Sequence, residues 1–193
     1  MDLSELIKYP LSDRDWVKKI LIGCVISIMP IVNFLALGYF LHCIRLGMQG
    51  RAELPVWEDW ADLFKEGFFA LLIIIIYLGI PFILLPLLSL IPILGPLVAS
   101  VLLLLAGLLL PAALASYAVR GNFVDALQIK LIFERTSQVM QYYLLAYISM
   151  AVIGSLSLLI IFSLPVLSFI GVLLLFYASL VFFNLVGQLL GES

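Results

Sequence analysis

Residues 67–119 and 136–191 contain no Asp, Glu, Lys, Arg or His. A helix needs roughly 20 apolar residues to cross a ~30 Å hydrocarbon core, so each of these runs is long enough to cross a membrane and return. The whole chain is 65% hydrophobic and only 11% charged, against about 25% charged in an ordinary soluble domain. So few charges cannot cover so much apolar surface in water. The reading is an all-α integral membrane protein, with residues 1–193 forming one membrane domain.

The punctuation inside the apolar segments repeats. Met29-Pro30-Ile31-Val32-Asn33, Ile91-Pro92-Ile93-Leu94-Gly95 and Leu164-Pro165-Val166-Leu167-Ser168 share one pattern. It is an apolar arm, a proline, two aliphatics, one of Asn, Gly or Ser, and a second apolar arm. Proline removes a helical N–H and clashes with the preceding turn, and a turn former three residues later suits a chain reversal. Pro30 with Asn33, Pro92 with Gly95 and Pro165 with Ser168 are therefore expected at hairpin turns. This predicts three tandem helical hairpins over 20–44, 67–119 and 136–191, the first short or re-entrant.

Each hairpin is preceded by a polar, amphipathic stretch: an N-terminal segment over 1–19, then 53–66, then 122–135. These are expected to lie as short helices along the membrane surface. In the second, Trp57, Trp60 and Phe64 fall at i, i+3 and i+7 and would share one helical face. Together with Trp16 they are the expected interface anchors, since tryptophan favours headgroup depth. In the third, Phe123, Leu127 and Leu131 make the apolar stripe. The N-terminus lacks the basic and apolar regions of a signal peptide, so the internal segments are expected to direct insertion.

Charge placement bears on topology. If 20–44 is a hairpin, all ten Lys and Arg lie on one side, and the charge-free turns near 92–96 and 165–168 on the other. If 20–44 is a single kinked span, the basic residues split four against six. The positive-inside rule favours the hairpin, with both termini cytoplasmic in a multi-pass cell-membrane protein. Its arms, about 15 Å each at 1.5 Å per residue, are half a bilayer, so the kinked span stays open as the alternative.

The first seventy residues resemble a known family. Tyr9-Pro10, Asp15-Trp16, Lys18-Lys19, Ile22-Gly23, Pro30-Ile31-Val32-Asn33-Phe34, Gly38-Tyr39 and Leu54-Pro55-Val56-Trp57-Glu58-Asp59-Trp60-Ala61-Asp62-Leu63-Phe64-Lys65-Glu66-Gly67 are similar to the uncharacterised prokaryotic membrane family DUF-4013. Val56 stands where that pattern would have an acid. The resemblance implies a membrane location in archaea or bacteria and brings no catalytic residues with it.

Polar residues inside a membrane are costly and are the first place to seek function. The two long hairpins have no ionisable side chain of the kind that proton-coupled pumps or voltage sensors use. His42 is the only histidine and cannot build a metal site without other ligands; it reads as interface packing. Asn33 reads as satisfying backbone at its turn, and Asn184 with Gln188 as bonding between helices. The serines lack a histidine and acid partner. The acidic run Glu53, Glu58, Asp59, Asp62 and Glu66 is interleaved with Arg51 and Lys65 and reads as a solvated helix face. Cys24 and Cys43 read as small buried hydrophobes. Gly23 with Ser27, Ala112 with Ser116, and Ala151 with Ser155 are small pairs at spacing four that let helices approach.

The expectation is therefore a non-enzymatic membrane scaffold or accessory subunit without metal or cofactor. Its expected partners are the lipid bilayer and a second copy or another membrane protein, not nucleic acid. The alternative is a small transporter or lipid-handling protein with a midplane cavity, since prolines 81, 86, 92, 96 and 111 predict broken helices.

Overall fold

The computed structural model describes residues 8–51, 53–88 and 90–191, the Pro165 side chain excepted. The first seven residues of the N-terminal segment, and Ser89 beside the second turn, lie outside the described residues. Seven α-helices follow one another: α1 Trp16–Ile28, α2 Phe34–Met48, α3 Trp60–Leu88, α4 Leu94–Arg120, α5 Ile129–Gln138, α6 Met140–Ser163 and α7 Ser168–Gly191. Single 3₁₀ turns occupy Tyr9–Ser12, Phe123–Leu127 and Pro165–Leu167. The described residues contain no strand.

Four helices, α3, α4, α6 and α7, are long and apolar enough to cross a membrane, and they occupy the two charge-free runs. In such surroundings the backbone must satisfy its own hydrogen bonds, and the helix does so within the segment. The fold is an all-α bundle of membrane-spanning type. By contrast α1 and α2 have 13 and 15 residues, roughly 20 and 22 Å, too short to cross alone. The Phe34 ring, at the start of α2, lies 5.6 Å from Phe64 and 6.5 Å from Phe68. The turn before it therefore sits beside the opening of α3, roughly 30 Å along that helix from Leu88.

The repeated punctuation produces one local conformation twice. Ile31 has φ 69° and Ile93 φ 67°. The N–H of Val32 donates to the Pro30 carbonyl and that of Leu94 to the Pro92 carbonyl, both at 2.8 Å. This is a γ-turn with the central residue in the left-handed region, a rare and strained arrangement and an outlier for a β-branched residue. The third instance differs, since Pro165 opens a 3₁₀ turn. Asn33 caps α2 by position without a side-chain hydrogen bond. Gly95 and Ser168 fall inside the first turns of α4 and α7 rather than in the reversals.

Three expectations are corrected. No separate helix covers 53–66: the chain is non-helical from Glu53 to Asp59, and Trp60 opens the continuous α3. Asp59 has φ 50°, which no α-helix accommodates. The stretch 122–135 is not one helix either. A 3₁₀ turn ends at Leu127, Gln128 leaves helical geometry, and α5 begins at Ile129. The expected Phe123, Leu127 and Leu131 stripe is split accordingly, with Phe123 packing on Phe69 at 6.1 Å. Finally, Pro81, Pro86 and Pro111 lie inside continuous helices. Transmembrane helices tolerate proline because neighbouring groups re-satisfy the freed carbonyls, so the broken-helix basis for a transporter is absent at these positions.

Two glycine crossings set the core. Any Cβ on Gly38 of α2 would strike the Leu63 carbonyl of α3, and one on Gly67 would strike the Phe34 carbonyl. On the other side of α2, Gly47 faces the Asn184 backbone and Gly187 the Ile44 backbone. Glycine thus lets α2 lie backbone to backbone between α3 and α7.

Candidate functional site

The polar chemistry of the molecule gathers around α2 and the segment between α2 and α3. Three successive carbonyls of that segment each accept from a different side chain. The Tyr9 hydroxyl donates to Glu53 at 3.1 Å, Lys19 Nζ to Leu54 at 2.9 Å, and the Tyr39 hydroxyl to Pro55 at 2.9 Å. The Leu54 N–H in turn donates to Asp13 Oδ2 at 3.2 Å, and Lys19 Nζ reaches the same oxygen at 2.7 Å. An extended strap can be bonded this way because its backbone has no helix partner to satisfy it. Burial pushes the Tyr9 phenol well above its ordinary range, so it stays protonated as a donor. Burial also raises the Asp13 carboxyl, but the Lys19 hydrogen bond and the N–H groups of Asp15 and Leu54 outweigh it and hold the group below its usual value.

Trp57 belongs to this strap. It is buried, its ring stacks on Tyr39 at 4.0 Å and 12°, and its Nε1–H donates to the Lys19 carbonyl at 2.9 Å. It is a core residue, which corrects its reading as a surface anchor on one face with Trp60 and Phe64. Those two are exposed, as is Trp16 at the head of α1. Trp60 still stacks on Trp57 at 5.9 Å. Among the turn residues, the structure brings none of Pro30, Asn33, Pro92, Gly95, Pro165 and Ser168 into this polar region.

A second cluster joins α2, α3 and α4. Arg45 donates to both oxygens of Glu66, at 2.9 and 2.6 Å, and its Nε–H donates to the Ala118 carbonyl at 2.8 Å. His42 Nε2 lies 3.1 Å from Glu66 Oε2. Ligand atoms of His42, Asp62 and Glu66 lie within 4.8 Å of one another, which makes them a candidate metal group among the described residues. The donor set fits a metal poorly, because the guanidinium fork already claims both Glu66 oxygens and a dication would have to displace it. The arrangement does what a two-pronged ion pair does best, which is fix the relative position of three helices. Sequence reading placed Glu66 on a solvated face and His42 in packing. It did not pair Arg45 with Glu66, because 21 residues and a non-helical strap separate them.

Asn184 Nδ2 donates across to the Cys43 carbonyl at 3.4 Å, and Gln188 Nε2 donates to Asn184 Oδ1 at 2.7 Å. Both cysteines are buried and unpaired with each other. Of the small pairs, Gly23 packs against the Phe176 ring and Ser116 is buried, whereas Ala151 and Ser155 are exposed on α6. The glycines that meet the backbone of a neighbouring helix, Gly38, Gly67, Gly47 and Gly187, were not singled out by the sequence as contact positions. Gly187 and Gly191 do share the spacing of four that signals a close helix contact.

A family model described as "Protein of unknown function (DUF4013)" matches residues 22–190, and the chain belongs to that family. No curated protein and no solved structure matches it.

Proposed function

We propose that the protein is a non-enzymatic membrane scaffold or accessory subunit. One observation carries this reading: the two partly buried ion pairs, Arg45 with Glu66 and Asp13 with Lys19, are consumed in holding helices and strap together. Arg45, Glu66 and the Ala118 carbonyl fasten three helices, and Asp13 with Lys19 fastens the strap. Groups committed to such contacts are not available to relay protons or bind a polar solute. Meanwhile α6 has most of its surface uncovered, with Ile148, Val152, Leu156 and Leu159 exposed beside Ala151 and Ser155. Small residues on an exposed membrane helix allow a second helix to come close, which suits a second copy or another membrane protein as partner.

The topology we infer has both termini cytoplasmic and a first helix pair that enters and leaves by the same face. An even number of spanning helices puts Trp60 and Gly191 on one side. The hydrogen bonds that join Leu54 to Asp13, which accepts from its N–H, and to Lys19, which donates to its carbonyl, support the N-terminal segment on that side too, which gathers all ten basic residues there. Cysteines introduced at Ser12, Val124 and Val166, in a background lacking Cys24 and Cys43, test it in sealed vesicles. Ser12 and Val124 labelling together, with Val166 labelling from the other side, is the expected result. Ser12 and Val166 labelling together would restore the single span over 20–44.

The functional reading is tested by a cysteine at Ser155 in native membranes. It is expected to crosslink to a second copy or to a defined protein partner. A chain that gives no crosslink there or at Val152, and that passes a solute when reconstituted alone, would replace the scaffold reading with the transporter one.

A further inference from the structure

A cleft of about 160 Å³ opens where α4 ends, between Ser116 and Arg120 on that helix, Asp125 and Gln128 on the connecting turn, and Arg135 on α5. One water needs about 10–15 Å³ on a comparable measure, so the cleft admits a group several times larger. Its charges do not cancel. Arg120 lies 4.0 Å from Asp125, and the same carboxylate accepts from Gln128 Nε2 at 3.2 Å and Asn122 Nδ2 at 3.4 Å. Arg135 has no carboxylate partner among the described residues. Two guanidinium groups against one already-bonded carboxylate leave the cleft net cationic.

Its walls are amphipathic. Val119 and Leu131 line it and are exposed, and Leu127 and Ile129 are exposed beside it. Exposed aliphatics next to arginines at the end of a spanning helix belong at the boundary between hydrocarbon and water. A narrower crevice of about 10 Å³ continues inward from Ser116, Val119 and Arg135 to Ile132, Met48 and Leu190, so the cleft is seated against the helix packing rather than lying loose on the surface.

We propose that this cleft is a binding site for the phosphate of an anionic phospholipid headgroup, with Arg120 and Arg135 as the phosphate-binding groups. Guanidinium offers two parallel N–H donors matched to phosphate oxygens. The apolar walls favour a lipid over free phosphate, because only a lipid brings acyl chains to cover Val119 and Leu131. The site does not depend on the scaffold reading: it binds lipid whether or not the chain has a protein partner.

The experiment measures lipid retained by the purified full chain, by native mass spectrometry and by the shift in Tm. Phosphatidylglycerol, phosphatidylcholine and inorganic phosphate are added separately. The expected result is preferential retention of phosphatidylglycerol, weakened about fivefold or more in R120Q and in R135Q, as ~1 kcal/mol per basic residue near an anionic surface implies. K130Q removes the same charge from α5 outside the cleft and is expected to leave retention unchanged. D125N removes the competing carboxylate and is expected to tighten binding, which keeps the test decisive should an arginine variant fail to fold. Equal protection by inorganic phosphate would overturn the lipid assignment. Equal weakening by K130Q, or no gain in D125N, would reduce the effect to general surface charge and overturn the site.

Discussion

Arg45 and Glu66 meet in a two-bond fork, and the third donor of the same guanidinium closes on the Ala118 carbonyl. The Glu66 side chain is 13% exposed and that of Arg45 29%, so neither is freely solvated. Removing one partner strands the other in a poorly hydrated site, whereas removing both does not. Arg45→Leu or Glu66→Leu alone is expected to cost roughly 2–3 kcal/mol, less than the 3–5 of a fully buried pair. The double variant is expected to recover much of that loss. Unfolding in detergent, run as a double-mutant cycle, checks it; additive losses would mean that the fork is not a coupled unit.

The crossing of α2 over α3 makes a second, steric prediction. Gly67→Ala or Gly38→Ala drives a methyl group into backbone that has no rotamer to yield, and overpacking of this kind costs 1–3 kcal/mol or more. Gly79 is the contrast, since its nearest neighbour to an added Cβ is an Ile75 methyl at 3.8 Å. Gly79→Ala is expected to be neutral or to stabilise by up to ~1 kcal/mol, the helix penalty of glycine. Thermal denaturation of the three variants in one detergent separates the cases, and similar Tm values for all three would contradict the close crossing.

The strained turns predict a gain. Ile31 and Ile93 hold positive φ and are 68% and 86% exposed, so little packing is lost with their side chains. Glycine occupies that region without steric cost. Ile31→Gly and Ile93→Gly are each expected to stabilise by about 1 kcal/mol, the strain released less the added freedom of the unfolded chain. A fall in Tm for both would show that the turns are relaxed or that the exposed isoleucines pack against something in the membrane.

Asp13 gives the N-terminal clamp a pH limit. Its folded-state value is depressed, on balance, by Lys19 and by the N–H groups of Asp15 and Leu54. A depressed carboxylate contributes stability above its unfolded value and loses it as pH falls through the folded one. The clamp is therefore expected to be intact at neutral pH and to loosen below about pH 4. Fluorescence of Trp57, whose indole bonds to the Lys19 carbonyl, reports the release. Asp13→Asn is expected to weaken the clamp at neutral pH and to abolish the acid transition. A transition of the same size in that variant would assign it to another group.

The amino-acid sequence by itself determined the membrane class and the two long charge-free runs that hold the four long apolar helices. Those properties depend on composition over long windows, and transfer free energy acts on them locally. The tertiary structure alone decided that Trp57 is buried, that residues 53–59 form a strap instead of a helix, and that Arg45 finds Glu66. It also decided that Arg120 and Arg135 face one cleft. Trp57 shows why. Helical spacing places it on one face with Trp60 and Phe64, but the carbonyls of residues 53–55 accept from Tyr9, Lys19 and Tyr39 instead of from their own segment. Such partners stand 16 to 44 residues away along the chain, and a local periodicity contains no information about them. The glycine crossings share that limit, since a missing side chain is legible in the sequence but the backbone that needs its absence is not.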